Sequence, residues 1–164
     1  IDFSPLLAQP KLVLLGAGGA ARAIAYTLAK EVEQLTILNR TPQKAADLQQ
    51  KFPSKIVSKA LSATTLEESL READILVNAT NVGMQPDSER SLVEAAWLKP
   101  KHTVMDIIYN PMETQLARDA KAAGAQVVRG LDMLIYQGAA SFEIWTGKAA
   151  PVQVMRQAAL SQLA

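Results

Sequence analysis

The 164 residues include no cysteine, which excludes disulfides, thiolate metal ligands and thiol nucleophiles. There is one histidine, His102, too few for a multi-histidine metal centre. It stands in Lys99-Pro-Lys-His102, just before an apolar run, a setting that predicts an exposed turn rather than a catalytic base. An excess of charge of one sign is also missing. The 17 basic and 16 acidic side chains give a net +1 and are spread along the chain, so nothing points to nucleic acid. No apolar run reaches the roughly 20 residues needed to span a membrane, and no leader peptide is visible. A cytoplasmic protein with no membrane partner is therefore expected. Aromatic residues are only 5% of the chain, yet 49% is hydrophobic, so aliphatic side chains and alanine must fill the core of what its length predicts to be one domain. The chain begins with Ile1 rather than Met, as a fragment or processed chain would.

The richest segment is Leu12-Val-Leu-Leu-Gly16-Ala17-Gly18-Gly19-Ala20-Ala21. An apolar strand enters a glycine turn that opens into a helix, in the pattern G-x-G-x-x-[GA] with Gly16, Gly18 and Ala21 in its small-residue slots. Gly16 suits a tight turn, Gly18 lets a pyrophosphate approach the backbone, and Ala21 permits close helix–strand packing. Free N–H groups at the helix start favour phosphate. A simple tight turn fits the same glycines. The next apolar run ends in Asn39-Arg40-Thr41, where NAD-binding folds usually place a carboxylate on the ribose 2′-hydroxyl. Here Arg40 offers a guanidinium fork, Thr41 a hydroxyl, and Lys44 a second cation one helical turn on, a set suited to the 2′-phosphate of NADP. Thr41 with Pro42 also reads as a helix cap, which does not compete with phosphate binding.

Strand-like and helix-like stretches alternate. Strands are expected at Lys11–Leu15, Leu35–Leu38, Lys55–Ser58, Asp74–Asn78, Thr103–Ile108 and Gln126–Val128. Helices are expected at Ala20–Glu31, from Thr41 to about Phe52, over Thr65–Leu70 with Thr65 as N-cap and Glu68 closing a capping box, at Ser91–Trp97, Glu113–Ala123, Gly130–Trp145 and Pro151–Leu163. The loop Gly83–Arg90 is the most polar. This alternation predicts an α/β, Rossmann-type, doubly wound and mainly parallel six-stranded sheet with helices on both faces.

Ligands in such sheets bind beyond the carboxyl ends of the strands. Those ends carry Gly16, Asn39, Asn78-Ala-Thr80, Ile107–Tyr109 and Gly130. Asn78 and Thr80 can bond a cofactor or cap their own turn. Tyr109 can face substrate or pack. Asp106, inside an apolar strand, is expected to accept backbone hydrogen bonds rather than act as a base. Gln137 shares a helix face with Met133, either as a surface residue or as a substrate contact beside a nicotinamide pocket.

Gly16-Ala-Gly-Gly-Ala20-Ala-Arg-Ala, Asn39-Arg-Thr41, Val77-Asn-Ala-Thr-Asn-Val-Gly-Met84, Asp106-Ile-Ile-Tyr109-Asn-Pro111 and Gly130-Leu-Asp-Met133-Leu-Ile-Tyr-Gln137 together resemble the shikimate dehydrogenase family. The resemblance runs over nearly the whole chain but only over the cofactor-binding half of that family's fold. It implies one NADP-binding domain over residues 1–164, including the C-terminal helices, without the substrate domain that precedes it in the family. It implies an oxidoreductase of the shikimate pathway to aromatic amino acids, reducing 3-dehydroshikimate to shikimate by hydride transfer. Gly16 to Ala20 would hold the pyrophosphate and Asn39 to Lys44 the 2′-phosphate. Asn78, Thr80, Ile107, Gly130 and Met133 would flank the cofactor, and Tyr109 and Gln137 would touch substrate. No metal is implied. The family's catalytic Lys and Asp lie in the preceding domain and its junction, so no catalytic residue is assigned and the chain alone is expected to be inactive. Asp2-Phe3 matches the remnant of the junction's Gly-Phe pair, and Asp2 is not given the catalytic role. Asn81 departs from the proline or small residue common in relatives. The alternatives are a quinate-using relative and a stand-alone NADP-binding sensor or interaction module. A methyltransferase using S-adenosylmethionine is disfavoured, because that ligand has no phosphate for Arg40 and Lys44.

Overall fold

The computed structural model describes residues 9–163. Asp2 and Phe3 lie outside them. Six strands form a single sheet in the order β3-β2-β1-β4-β5-β6, and every pairing is parallel. They are β1 (Lys11–Leu15), β2 (Gln34–Asn39), β3 (Ile56–Ala60), β4 (Ile75–Asn78), β5 (Thr103–Asp106) and β6 (Gln126–Arg129). The helices are α1 (Gly19–Leu28), α2 (Pro42–Gln49), α3 (Ala63–Glu72), α4 (Gln115–Ala122), α5 (Gly130–Thr146) and α6 (Val152–Leu163). The expected architecture is found, and the sheet is parallel throughout.

Parallel strands covered on both faces read as unbroken apolar runs, and Leu12–Leu15 is such a run, buried from end to end. Alternate side chains serve two cores. Leu12, Leu14, Ile37 and Val77 pack with Ala21 and Ala25 of α1, Ala45 and Leu48 of α2, and Met133 of α5. Val13, Leu15, Leu38 and Leu76 pack with Leu66 and Leu70 of α3 and with Leu116 and Ala120 of α4. Truncating one of these leucines to alanine costs about 2–5 kcal/mol. Alanines on α1 bring that helix close to the sheet, so the glycine turn sits directly above β1. α6 packs on α5, where Met155 meets Gly138 and Arg156 pairs with Asp132 at 2.5 Å. Near the end of α5, Ile144 and Trp145 are 80% and 82% exposed. Among the described residues no helix is long and apolar enough to cross a membrane.

Several local expectations are corrected. α3 begins three residues earlier than its Thr65 cap predicts. Ser62 is the N-cap, its hydroxyl accepting from the Thr65 N–H while Thr65 Oγ1 accepts from the Ser62 N–H. Thr65 thus takes the part expected of Glu68. Ser91–Trp97 is not a helix, and only Ala95–Trp97 make a 3-10 turn. The Ser91 hydroxyl bonds both Val93 O and Val93 N, and this local turn replaces helical bonding. β5 stops at Asp106, two residues short of Ile108, because the Asp106 carboxylate takes the Ile108 N–H. α4 starts after Thr114, whose hydroxyl caps Ala117 N. His102 is not exposed. It is 1% accessible, with Nδ1 accepting from the Lys99 N–H and Nε2 against Leu70 O at 3.2 Å.

Candidate nucleotide site

The topology reverses between β1 and β4, and the carboxyl ends of these neighbours open into a cleft of about 580 Å³. Gly16, Ala17 and Gly18 line it from β1, Asn39 and Arg40 from β2, and Thr80 from β4. The two glycines of the turn have different reasons to be glycine. Gly16 has φ +102°, and a Cβ there would lie 2.8 Å from Ala79 O, so the fold itself requires it. Gly18 is the N-cap of α1 with φ −78°, and a Cβ there would meet nothing within 4 Å. The space above Gly18 is open, and the exposed start of α1 faces it. Ala21 is fully buried against the sheet, as its small size predicts.

At the far wall, Arg40 is exposed, and among the described residues neither it nor Lys44 has an ion-pair partner. Thr41 takes the N-cap position of α2 with Pro42 next, but its hydroxyl makes no capping bond. The turn is instead held by Asn39 Nδ2, which donates to Thr41 O at 2.8 Å. Among the described residues, the Thr41 hydroxyl and the Arg40 and Lys44 cations therefore have no competing partner at the start of α2. Arg90 and Asp87, 4.0 Å apart, reach the same cleft from the polar loop. Nothing in the sequence singled them out.

A second cleft of about 510 Å³ lies on the other side of the Thr80–Gln85 loop and is lined by Thr80, Met84, Ile107, Ile108 and Tyr109. A third, of about 610 Å³ and largely apolar, lies between α1 and α5, where Ala20, Ile24, Met105, Met133, Tyr136 and Gln137 line it. The expected residues therefore divide among three neighbouring depressions. Tyr109 and Gln137, both exposed, do not share one. Gly19 is exposed at the start of α1. Gly130 is buried behind the second cleft, where a Cβ would fall within 2.4–2.5 Å of Ile107 and Ile108 backbone atoms. Glycine is needed there because the start of α5 and the end of the β5 segment touch backbone to backbone.

Beneath the loops lies a saturated polar cluster. Asp106, 3% exposed, accepts from Asn78 Nδ2 and the Ile108 N–H at 3.1 Å each and from Thr114 Oγ1 at 2.7 Å. Burial holds its carboxyl pKa above the ordinary value, and the bonds from Thr114, Ile108 and Asn78 offset part of that rise. Asn78 Oδ1 accepts from Thr80 N and Oγ1, so Asn78 serves its own turn and Asp106 at once.

A parallel sheet of this order with a glycine turn and cleft at its reversal defines an α/β domain of the Rossmann, dinucleotide-binding type. The sequence profile of "Shikimate / quinate 5-dehydrogenase" matches residues 2–118, and that of "Shikimate 5'-dehydrogenase C-terminal domain" matches residues 130–160. The chain belongs to the shikimate/quinate 5-dehydrogenase family. It is 45% identical over 158 residues to a shikimate dehydrogenase (NADP(+)) of Methanosarcina acetivorans, covering 93% of this chain and 56% of the relative. Shikimate 5-dehydrogenase from Thermus thermophilus, solved with NADP(H) and shikimate, superposes with a TM-score of 0.80 at 36% identity, over 96% of this chain and 57% of that one. Quinate dehydrogenase from Corynebacterium glutamicum, solved with NAD, gives 0.86 at 30% identity, over 96% and 57%. The chain thus spans about half the length of the relatives it matches.

Proposed function

We propose that this chain is the NADP(H)-binding domain of a two-domain shikimate dehydrogenase, the whole enzyme interconverting 3-dehydroshikimate and shikimate. The carrying observation is the first cleft, with open space above Gly18 at one end and unpaired Arg40 at the other. Gly16 to Ala20 and the start of α1 would hold the pyrophosphate. Arg40, Thr41 and Lys44 would hold the 2′-phosphate, with Asn39 fixing their turn. Asn78, Thr80, Ile107, Gly130 and Met133 would flank the nicotinamide half. When bound, the cofactor supplies the hydride. The chain's part would be to orient it, and Tyr109 and Gln137 would reach substrate from the cofactor side. The proton would be handled by a Lys–Asp pair of the preceding substrate domain, so this chain alone should turn over little or nothing. The quinate dehydrogenase likeness supports a second reading in which the substrate is quinate.

Calorimetric titration with NADP(H) and NAD(H) tests the cofactor. Equal or tighter NAD(H) binding overturns the reading. Joined to a family substrate domain, the chain should oxidise shikimate, and Gln137→Ala should lower kcat/KM with cofactor affinity unchanged. A lost hydrogen bond of about 0.5–3 kcal/mol corresponds to a few-fold to hundred-fold reduction. Shikimate oxidation at an ordinary enzymatic rate by the 164-residue chain alone would refute the division of labour.

A further inference from the structure

The loop Thr80–Gln85 is the partition between the first and second clefts, because Thr80, Asn81, Met84 and Gln85 line both. Its root is hydrogen-bonded inward. The Val82 N–H donates to Thr80 Oγ1 at 3.1 Å, Thr80 Oγ1 donates to Asn78 Oδ1 at 2.7 Å, and Asn78 Nδ2 donates to both Val82 O at 3.3 Å and Asp106 Oδ1 at 3.1 Å. Asn78 and Asp106 are register partners at the ends of β4 and β5, so their side chains leave the same face of the sheet. The other bonds of Asp106 reach the backbone of Ile108, one residue before Tyr109, and Thr114 at the cap of α4. One buried carboxylate therefore ties the partition loop, the Ile107–Tyr109 segment and α4 together, and every donor it meets suits a charged carboxylate.

We propose that Asp106 is a positioning residue that sets the shape of both clefts, holding the Thr80–Gln85 partition and the Ile107–Tyr109 wall in one arrangement without touching a ligand. Its consequence for the cofactor rests on the NADP(H) reading above. Asp106→Asn keeps the shape of the side chain but leaves one oxygen for three donors, two now on Oδ1 and Thr114 on Oδ2. The mismatch should open the bonds it leaves unpaired and speed amide exchange at Thr80, Val82 and Ile108. Exchange at those amides should rise roughly tenfold or more, while amides of Leu12–Leu15 keep the parent rate. NADPH affinity should fall by a similar factor. Ser62→Ala, which removes the remote cap of α3, should lower melting temperature and leave NADPH affinity within about twofold.

Exchange that accelerates evenly over the sheet, or an unchanged affinity in Asp106→Asn, would make the cluster a general stabiliser and overturn the proposal. If Asp106→Asn does not fold, Thr114→Val carries the test, since it removes one donor and leaves the carboxylate. Parent behaviour at Thr80, Val82 and Ile108 in that variant overturns the idea, and selective acceleration supports it. Failure of the parent chain to bind NADPH sinks the cofactor reading alone, and the exchange pattern then decides the role of Asp106.

Discussion

After β2, the polar groups beside the cleft stand in the open. Arg40, Thr41 and Lys44 are exposed, and only Asn39 is engaged, with the Thr41 carbonyl. After β4 and β5 the polar groups are buried and bonded to one another, through Asn78, Asp106 and Thr114. Both regions end parallel strands of one sheet, yet they do different work. Exposed, unpaired cations leave their electrostatic capacity for a ligand and contribute little to folding. A buried, saturated cluster holds backbone in place, and removing a partner there leaves a desolvated group uncompensated. On the NADP(H) reading, recognition and shape fall to separate ends of the cleft, and substitutions can show how separate they are.

The largest effect should come from the packed end. Gly130→Ala places a Cβ within 2.4–2.5 Å of Ile107 and Ile108 backbone atoms, which cannot swing aside as a side chain would. Loss of about 3 kcal/mol of stability is expected, read by urea unfolding. A parent-like midpoint would show that α5 can lift from β5 freely. At the open end, Arg40→Ala should weaken NADP(H) by about 1.5–3 kcal/mol, roughly ten- to hundred-fold, with NAD(H) affinity and melting temperature near the parent values. A parallel loss for NAD(H) would mean that Arg40 also shapes the cleft, erasing the contrast. Gly18→Val should weaken both cofactors several-fold with circular dichroism unaltered, because the added side chain points into open space. Unchanged affinity would reduce the glycine turn to a purely structural device.

The smallest effect concerns pH. Burial lowers the His102 pKa from its ordinary 6.5, and Lys101 and Lys99 push it the same way, while the Leu70 carbonyl and Asp74 act against them. A group with a depressed folded pKa contributes stability that is present above the unfolded value and fades as pH falls below it. Urea midpoints should therefore drop between about pH 7.5 and about pH 5.5, and more in the parent than in His102→Gln. Asp106 has the opposite sign, its raised pKa favouring folding at acid pH and losing that gain as pH climbs above the ordinary 3.8. Equal drops in parent and variant would remove His102 from the account.

The parallel six-stranded architecture and the glycine turn were legible because they rest on local patterns: apolar runs of strand length alternating with helices, and a glycine where φ is positive. The place of Arg40 on the cleft wall was legible because its position after β2 is counted along the chain. The burial of His102 was not, since Lys99-Pro-Lys reads as solvent-facing and only the fold brings Leu70 over the ring. The three-residue shift at α3 arises because Ser62 and Thr65 are both good caps and bond each other reciprocally, which starts the helix at Ala63. Asp106 was read correctly as an acceptor, but its partners Asn78 and Thr114 are distant in sequence or beyond a turn, and their convergence needs the β4–β5 register. Arg90 entered the cleft through a loop whose path no periodicity describes.

The backbone contact at Gly130 also gives α5 the mechanics of a lever. Its first residue is clamped against the end of the β5 segment, whereas Ile144 and Trp145 at the other end are bare. At 1.5 Å per residue, Gln137 lies about 10 Å from the clamp and Trp145 about 22 Å, so a tilt of roughly 5° moves Gln137 by about 1 Å and Trp145 by about 2 Å. A tilt of the helix about that contact would therefore shift Gln137 by about half the travel of Trp145, with the fulcrum at the edge of the second cleft.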